Sequence, residues 1–398
     1  MAGQINNVDG TILNKQGRIE SIDLLRGFVM VIMALDHTRD FFSAAPFNPL
    51  DLTNGNAYYF ITRWITHFCA PVFVFFAGTS AFLYGLKTES KKELAKYLVV
   101  RGLLLVVLEL TLVRLGWQFN VNYSYAWVQV IWVLGVAMIV LAGLIYLPLR
   151  VTTISGIVMI LFHNLLDGIR AEDLGWFKTI WIFLHDGGEI RFGSDGLFWV
   201  VYPIIPWIGV MAAGYGFGKL FLLPAHDRNK ILIQLGLSVT TVFIILRFIN
   251  LYGDPHPWIT RDNSFYTLLE FLNTEKYPPS LLFLLMTLGP SFITLVLFEK
   301  LIGLPKKILL IFGRVPLFYY LLHVPVIHLL AVVLALAQGL DAVFLFDNSD
   351  PSSWPNEFGY GLFGVYIAWL LAVVIMYPLS KWFYEMKKKR KYKWLSYF

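Results

Sequence analysis

The sequence predicts an all-α polytopic membrane protein, a bundle of about ten transmembrane helices. Two features of its composition point to this class: 57% of the 398 residues are hydrophobic and only 15% are charged. The mean hydropathy of +0.64 lies outside the range of soluble proteins. Apolar runs long enough to cross about 30 Å of hydrocarbon recur along the whole chain. No stretch of soluble composition separates these runs, so we expect a single membrane domain.

The apolar runs define the predicted helices in chain order. They cover residues 19–42, 58–86, 94–116, 125–147, 151–166, 197–222, 231–252, 278–302, 308–337 and 360–384. A shorter apolar piece at 176–184 can form an extra re-entrant or interfacial helix. The chain is therefore predicted to have a polar N-terminal tail at 1–17, a transmembrane domain at 18–386 and a basic C-terminal tail at 387–398. The first tail has no apolar core with a cleavage site, so we expect no cleaved signal peptide.

The positions of the charges predict the orientation of the helices. Lysine and arginine collect after the second, fourth, sixth and eighth predicted helices and in the KKKRKYK run at 387–393, whereas acidic residues follow the fifth and ninth. The positive-inside bias then places both termini in the cytoplasm. The net charge of +6 belongs mainly to those cytoplasmic loops, where it can contact anionic lipid headgroups. A nucleic-acid partner is not implied.

The first predicted helix places ionisable side chains inside an apolar segment. Arg26 and His37 are eleven positions apart, which puts them on one helix face about 16 Å from each other. Asp23 and Asp40 share this face, and Asp36 directly precedes the histidine. Charges within a membrane are costly and usually mark a pathway or a reaction site. The alternative is a paired device for helix packing.

Two further histidines are predicted inside membrane helices. Pro71 cannot donate to the carbonyl of His67, so a kink is expected beside this histidine. Arg63 would share its face and favour a neutral imidazole. His323 lies near the middle of the ninth helix, two residues before Pro325.

Other polar features have simpler interpretations or none. Glu109 is expected to form a structural pair with an arginine. The loops at 163–195 and 253–279 are long for a compact membrane domain, and such loops are usually functional. We predict that they form the external mouth for a polar substrate. Metal-ligand spacing, a Walker-type phosphate loop and internal repeats are not found in the sequence, and a single cysteine, Cys69, excludes an internal disulfide.

Four motifs in order resemble a known family. They are RIESIDLLRGFVMVIMALDHTRDFF at 18–42, THFCAPVFVFFAGTSAFL at 66–83, YPIIPWIGVMAAGYGFG at 202–218 and FGRVPLFYYLLHVPVIH at 312–328. Together they resemble the bacterial branch of the heparan-alpha-glucosaminide N-acetyltransferase catalytic-domain family. The first motif is also similar to the acyltransferase-3 proteins, in which an arginine and a histidine are separated by ten residues, as Arg26 and His37 are here.

The resemblance implies a transmembrane acyltransferase domain at 18–386 in a bacterial cytoplasmic membrane. Such an enzyme takes an acetyl or other acyl group from cytoplasmic acyl-CoA and delivers it to an amine or hydroxyl on the other side. A sugar or envelope glycan is the implied acceptor, and no metal cofactor is implied. A homodimer is one assembly open to such a protein.

The resemblance, read with the chemistry of the residues, gives four candidate catalytic side chains. His37 is the first choice as general base on the acceptor, and Asp36 is placed to orient it or to pair with an arginine elsewhere. His67 and His323 are rival bases, or oxyanion stabilisers at the thioester carbonyl.

Two arginines are candidates for binding the co-substrate. Arg26 and Arg314 are expected to hold the anionic part of acyl-CoA, although Arg26 can instead pair with a structural carboxylate. The competing class is a proton-coupled transporter of a small polar solute, in which Arg26 and the three histidines form a proton path. Buried histidines and helix prolines fit both classes.

Overall fold

A computed structural model of the protein describes residues 19–45, 47–53, 56–346, 354–355 and 357–389. The predicted tail at 1–17 and most of the predicted tail at 387–398 lie outside the described residues. Over the described part the protein is a helical bundle with one small sheet. The predicted all-α membrane class is confirmed.

The described part of the chain has fifteen α-helices. In chain order they are α1 (Glu20–Phe42), α2 (Ala57–Ile65), α3 (Cys69–Gly85), α4 (Lys91–Leu108), α5 (Arg114–Gln118), α6 (Val130–Leu144), α7 (Leu149–Phe162), α8 (Lys178–Trp181), α9 (Ile204–Phe217), α10 (Ala225–Ile249), α11 (Ser264–Leu272), α12 (Leu281–Glu299), α13 (Gly303–Arg314), α14 (Pro316–Ala337) and α15 (Leu362–Lys388). The strands are β1 (Tyr125–Val128), β2 (Gly188–Phe192) and β3 (Gly196–Val200).

Seven helical segments among the described residues are long and apolar enough to cross a membrane. They are Ala57–Gly85, Leu149–Leu166, Ile204–Leu222, Ala225–Ile249, Leu281–Glu299, Pro316–Ala337 and Leu362–Lys388. The predicted count of about ten is therefore not supported. Helix α1 falls short because it has six charged side chains, the stretch from α4 to α5 also has charges along its length, and α6 has only 15 residues.

Helix α1 lies at the centre of the bundle and contacts α3, α12, α13, α14 and α15. Its closest neighbour is α13. A Cβ atom on Gly27 would overlap the carbonyl oxygen of Leu309, and one on Gly313 would overlap that of Asp23. Two glycines therefore allow the backbones of α1 and α13 to touch, which is a common way of packing membrane helices. The charged helix is thereby surrounded by protein rather than by lipid.

The sheet corrects two predicted helix starts. Strand β3 pairs in parallel with β1, from Tyr125 opposite Leu197 to Val128 opposite Val200, and β2 pairs with β3 in antiparallel. Residues 125–128 and 197–200 were predicted to be helical. Their apolar runs are equally compatible with short buried strands, and the helices that follow begin only at α6 and α9.

Glu109 explains where α6 begins. Its carboxylate accepts hydrogen bonds from the backbone N–H groups of Gln129 (3.1 Å) and Trp132 (3.2 Å). The side-chain oxygens of Glu109 thus satisfy two of the free N–H groups at the start of α6. The expected pairing of Glu109 with an arginine is therefore wrong.

Prolines divide two other predicted helices. The predicted second helix is interrupted by a 3₁₀ turn at Thr66–Phe68, so the break expected beside His67 is present. The predicted ninth helix is divided at Val315, between α13 and α14, because Pro316 cannot continue the hydrogen-bond ladder of α13. These breaks place Arg314 and His323 on separate helices.

Candidate active site

Two cavities lie along α1, one at each charged end. The Arg26 cavity, of about 330 Å³, is lined by Arg26 together with residues of α3, α4, α6, α13 and α14. The His37 cavity, of about 120 Å³, is lined by five residues of α1, which are Met33, Asp36, His37, Arg39 and Asp40, and by the loop before α12. Phe73, Val130 and Tyr320 line both cavities. These three residues, the dividing wall, are the part of the protein that the two spaces share.

The Arg26 cavity is apolar inside and mostly cationic in its charged groups. Its basic lining residues are Arg26, Lys87, Arg101, Arg314 and Lys387, with Asp23 as the acidic one. Arg26 donates from Nη2 to the carbonyl of Phe76 (2.6 Å) and to Oγ of Ser80 (2.7 Å). The guanidinium is thus fixed against α3 while it lines the cavity.

Arg314 is held at the same cavity by acidic and aromatic groups. It donates to Oε1 of Glu20 (3.3 Å) and to the hydroxyl of Tyr384 (2.8 Å), and its Nε lies 3.7 Å from Oδ2 of Asp23. Both arginines proposed from the sequence therefore line one space. A cavity with this excess of positive charge suits a ligand with several phosphates.

His37 lies in the wall of the second cavity and is only 14% exposed at its side chain. Its Nδ1 is 3.6 Å from Oδ2 of Asp40, one turn further along α1. The ring packs edge-on against Trp117 with centroids 4.8 Å apart, and its centroid is 5.2 Å from that of His323. Nδ1 of His37 forms no hydrogen bond to a described residue, so the imidazole is confined by packing between two rings, with a carboxylate nearby.

Asp36 does not orient His37. Its carboxylate pairs with Arg39 at 2.8 Å and with Arg63, which donates from Nη1 to Oδ2. The side chains of all three are at most 15% exposed. Because successive helix residues point about 100° apart, the carboxylate next to His37 in sequence points elsewhere, and Asp40 occupies the position at its ring.

The other two candidate histidines are completely buried and line neither cavity. Nδ1 of His323 is 2.7 Å from the carbonyl of Tyr320 and 3.1 Å from that of Tyr319, so Nδ1 carries its proton. Nε2 of His323 has no hydrogen-bond partner among the described residues. His67 lies 3.1 Å from the carbonyl of Arg63 and packs against Phe283. The structure thus brings His323 to His37 and keeps His67 apart.

Lys276, Tyr277 and Tyr202 complete the His37 cavity. The two tyrosine rings are 5.2 Å apart, and the Lys276 ammonium lies 5.0 Å from the Tyr277 ring centre. Burial opposes ionisation of Tyr277, but the cations of Lys276 and Arg63 outweigh it and lower the pKa of this phenol. The sequence predicts a mouth at the whole loop 253–279, which contains Lys276 and Tyr277, but it does not single out these two residues. A lysine and a tyrosine directly before two prolines and α12 were the available signal.

The comparison with known families fits this arrangement. None of the curated proteins matches the chain. The catalytic-domain family described as heparan-alpha-glucosaminide N-acetyltransferase, catalytic, matches residues 18–248. That range, from α1 almost to the end of α10, includes Arg26 and His37, whereas Lys276 and His323 lie beyond it. Members of the family use acetyl-CoA as the donor. Because the match covers more than half of the chain, the protein belongs to this family of membrane acetyltransferases.

Proposed function

We propose that the protein transfers an acetyl group from acetyl-CoA, bound in the Arg26 cavity, to an amine or hydroxyl of a sugar in the His37 cavity. The observation that carries the proposal is the pair of cavities along one helix, which share the three residues of the dividing wall. One space has the charge that a nucleotide thioester needs, and the other has a histidine held by neighbouring groups. A donor and an acceptor could therefore meet at Phe73, Val130 and Tyr320 without sharing an entrance.

The donor side is supported by shape as well as by charge. The phosphates of CoA would lie near Arg101, Arg314 and Lys387, and the uncharged pantetheine arm would extend along the apolar lining toward the dividing wall. Arg26, already bonded to Phe76 and Ser80, would guide the arm past the middle of α1. Other acyl-CoA donors share this chemistry.

His37 would act as the general base in the transfer. With Nδ1 turned to Asp40, Nε2 takes a proton from the acceptor amine or hydroxyl as its nitrogen or oxygen attacks the thioester carbonyl. A C–N or C–O bond forms, the C–S bond breaks, and the proton then passes to the departing CoA thiolate. Proton transfer of this kind contributes about 10²–10⁴ in rate.

The groups around His37 would stabilise the charges that develop. Asp40 stabilises the imidazolium, and Lys276 with Arg63 offers positive charge to an oxyanion on the same side of the cavity. His323 would position His37 through its ring. In the orientation predicted from the loop charges, the Arg26 cavity opens to the cytoplasm of a bacterium and the His37 cavity to the outside, where an envelope glycan is the acceptor.

The test uses the purified full-length protein in detergent, with glucosamine as the acceptor probe. Acetyl-CoA should raise the melting temperature saturably, and release of free CoA should increase when glucosamine is added. His37→Ala should keep the thermal stabilisation and lose the glucosamine-dependent release. His226→Ala, at an exposed histidine that lines neither cavity, is the matched control and should behave as the wild type.

Two results would overturn the proposal. Full release of CoA by His37→Ala would show that another group is the base. An absence of stabilisation by acetyl-CoA and by longer acyl-CoAs would favour the proton-coupled transporter, for which the facing rings of His37 and His323 would be part of a proton path. That alternative predicts solute-dependent proton uptake into proteoliposomes, and no release of CoA.

A further inference from the structure

Two histidines and an aspartate meet outside both cavities, near the end of α7. His163 and His185 are buried, with 3% and 1% exposure, and Asp167 is half-buried. One potential ligand atom from each lies within 4.8 Å of the other two. Nε2 of His185 is 3.5 Å from Oδ1 of Asp167. None of the three lines the Arg26 cavity or the His37 cavity.

Local chain geometry brings these side chains together from two segments. His163 begins a 3₁₀ turn, His163–Leu166, directly after α7, and Asp167 follows that turn. His185 belongs to a π-helical turn, Ile182–Asp186, which ends at Gly187 with a positive φ of 69°. The left-handed backbone at this glycine lets the chain turn into β2.

The side chain of Asp186 fastens one segment to the other. Its Oδ2 accepts from the backbone N–H of Ala171 (2.9 Å), and its Oδ1 lies 3.2 Å from Nη1 of Arg170. The residues that carry His185 are thus tied to the chain that follows Asp167. The cluster is held in place by contacts that do not use its own donor atoms.

His163 has no partner that explains its burial. Neither ring nitrogen forms a hydrogen bond to any described residue, and the same holds for Oδ1 of Asp167. An unsatisfied buried polar group costs about 1–3 kcal/mol, and two of the three donors here are in that state. A bound cation at the centre of the cluster would give both of them a ligand.

We propose that His163, Asp167 and His185 bind one Zn²⁺ ion. Two imidazole nitrogens and one carboxylate oxygen form a typical zinc donor set, whereas Mg²⁺ and Ca²⁺ prefer oxygen ligands. Tetrahedral ligands at zinc distances are about 3.4 Å from one another, close to the 3.5 Å separation of His185 and Asp167. Binding through Nε2 would replace the present contact of that atom with the carbonyl of His163, at 3.0 Å.

The surroundings of the cluster indicate what the ion would do. Nδ2 of Asn164 donates to Oδ2 of Asp167 (2.8 Å), while its Oδ1 accepts from the backbone N–H of Leu281 (2.8 Å), the first residue of α12. A carboxylate ligand supported in this way is the usual outer-shell arrangement of metal sites. The ion would therefore link the end of α7 to the π turn directly, and both to the start of α12 through Asn164. The loop that places Lys276 and Tyr277 in the His37 cavity leads directly into that helix.

The experiment measures metal rather than activity. The full-length protein is stripped with chelator, supplied with Zn²⁺, passed through a desalting column and analysed by elemental mass spectrometry. We expect about one Zn²⁺ per chain and a higher melting temperature with Zn²⁺ than without, and no such effect of Mg²⁺ or Ca²⁺. His163→Ala and His185→Ala should each lose the ion, and His226→Ala should retain it.

A second measurement keeps the test independent of variant folding. Co²⁺ added to the stripped wild-type protein should give the visible absorption of a tetrahedral nitrogen and oxygen site, and Zn²⁺ should remove it. Wild-type protein that binds no more Zn²⁺ than His163→Ala would overturn the proposal, and so would binding that persists in the His163→Ala/His185→Ala double variant. Either result would leave His185 in contact with the carbonyl of His163 and with Asp167, as in the present structure. The acyl-transfer proposal does not depend on this outcome, since its own readout is CoA release.

Discussion

The two ends of α1 handle charge in opposite ways. At the Arg26 end, basic residues border a wide and mostly apolar space, and Arg26 itself bonds to a backbone carbonyl and a serine. At the other end, Asp36, Arg39 and Arg63 are locked to one another around a smaller space that contains His37. Surplus positive charge suits a mobile anionic ligand, whereas compensated charge suits a fixed reacting group. The difference indicates that α1 has a binding end at Arg26 and a chemical end at His37.

The strongest test of this comparison is the substitution of the histidine at the chemical end. His37→Gln removes the proton acceptor but keeps a polar side chain of similar size, so the rate of acetyl transfer should fall about 10²–10⁴-fold. The acetyl-CoA dissociation constant should not change, because the donor binds at the other end. Measuring both on one preparation separates the roles, and a parallel loss of binding and rate would contradict them.

The next largest effect is expected at the ion triad, which consists of Asp36 and its two partners Arg39 and Arg63. Asp36→Asn leaves Arg63 buried without its counter-charge and leaves Arg39 with Asp40 alone, which should destabilise the fold by about 3–5 kcal/mol. A clear fall in the melting temperature by differential scanning fluorimetry is expected. Adding Arg63→Gln to Asp36→Asn should recover part of the loss. If the single variant melts like the wild type, the triad is not a structural element of the chemical end.

A smaller effect, on acetyl-CoA affinity, is expected from a substitution at the binding end. Arg101→Gln removes a cation whose guanidinium contacts the Tyr97 hydroxyl at 2.6 Å, and we expect about tenfold weaker acetyl-CoA binding, or about 1.4 kcal/mol. The effect should shrink at high salt because charge screening weakens it. Lys92→Gln, on the exposed side of the same helix, is the control.

A truncated donor checks the reason for that effect. Acetyl-pantetheine lacks the nucleotide phosphates, so its affinity should be the same for the wild type and Arg101→Gln. An equal loss for both ligands in an isothermal titration would mean that Arg101 shapes the cavity rather than binding phosphate.

The smallest predicted effect is a titration at the chemical end. Because Lys276 and Arg63 lower the pKa of Tyr277, this phenol should ionise below the usual value of about 10. The near-ultraviolet difference between the wild type and Tyr277→Phe should show it, and Lys276→Met should move the transition to higher pH. The stability that comes from the lowered pKa is complete above the unfolded-state value and is lost as the pH falls through the folded-state value. An unshifted transition in Lys276→Met would exclude the lysine as the cause.

Local helix geometry made the two ends of α1 predictable, but not the partners of their charges. The spacing of Arg26 and His37 could be placed on one face from the sequence because a helix has a fixed period. Asp40, Arg63 and Lys276 could not be assigned to His37, since Lys276 is 239 positions away in the chain. Such contacts depend on how the helices pack.

The start of α6 likewise depends on residues that are distant in the chain and could not be predicted from the local sequence. The residues of β1, Tyr-Ala-Trp-Val, are apolar and continuous with a helical run, so their period could not separate strand from helix. Two distant features decide the boundary: strand β3, 72 positions later at Leu197, and the carboxylate of Glu109. Pro316, in contrast, acts on its own backbone, and a division of the ninth predicted helix could have been read from it.

The dividing wall has a consequence for the membrane that holds the protein. Two charged spaces that approach each other from opposite ends of one buried helix would conduct protons and small ions if they joined. Phe73, Val130 and Tyr320 line both spaces and therefore lie on that route. Attack of the acceptor on the thioester requires the reacting atoms to touch, so these side chains must move aside for the transfer while the bound substrates fill both spaces. A smaller residue in the wall should let protons and small ions leak through the protein.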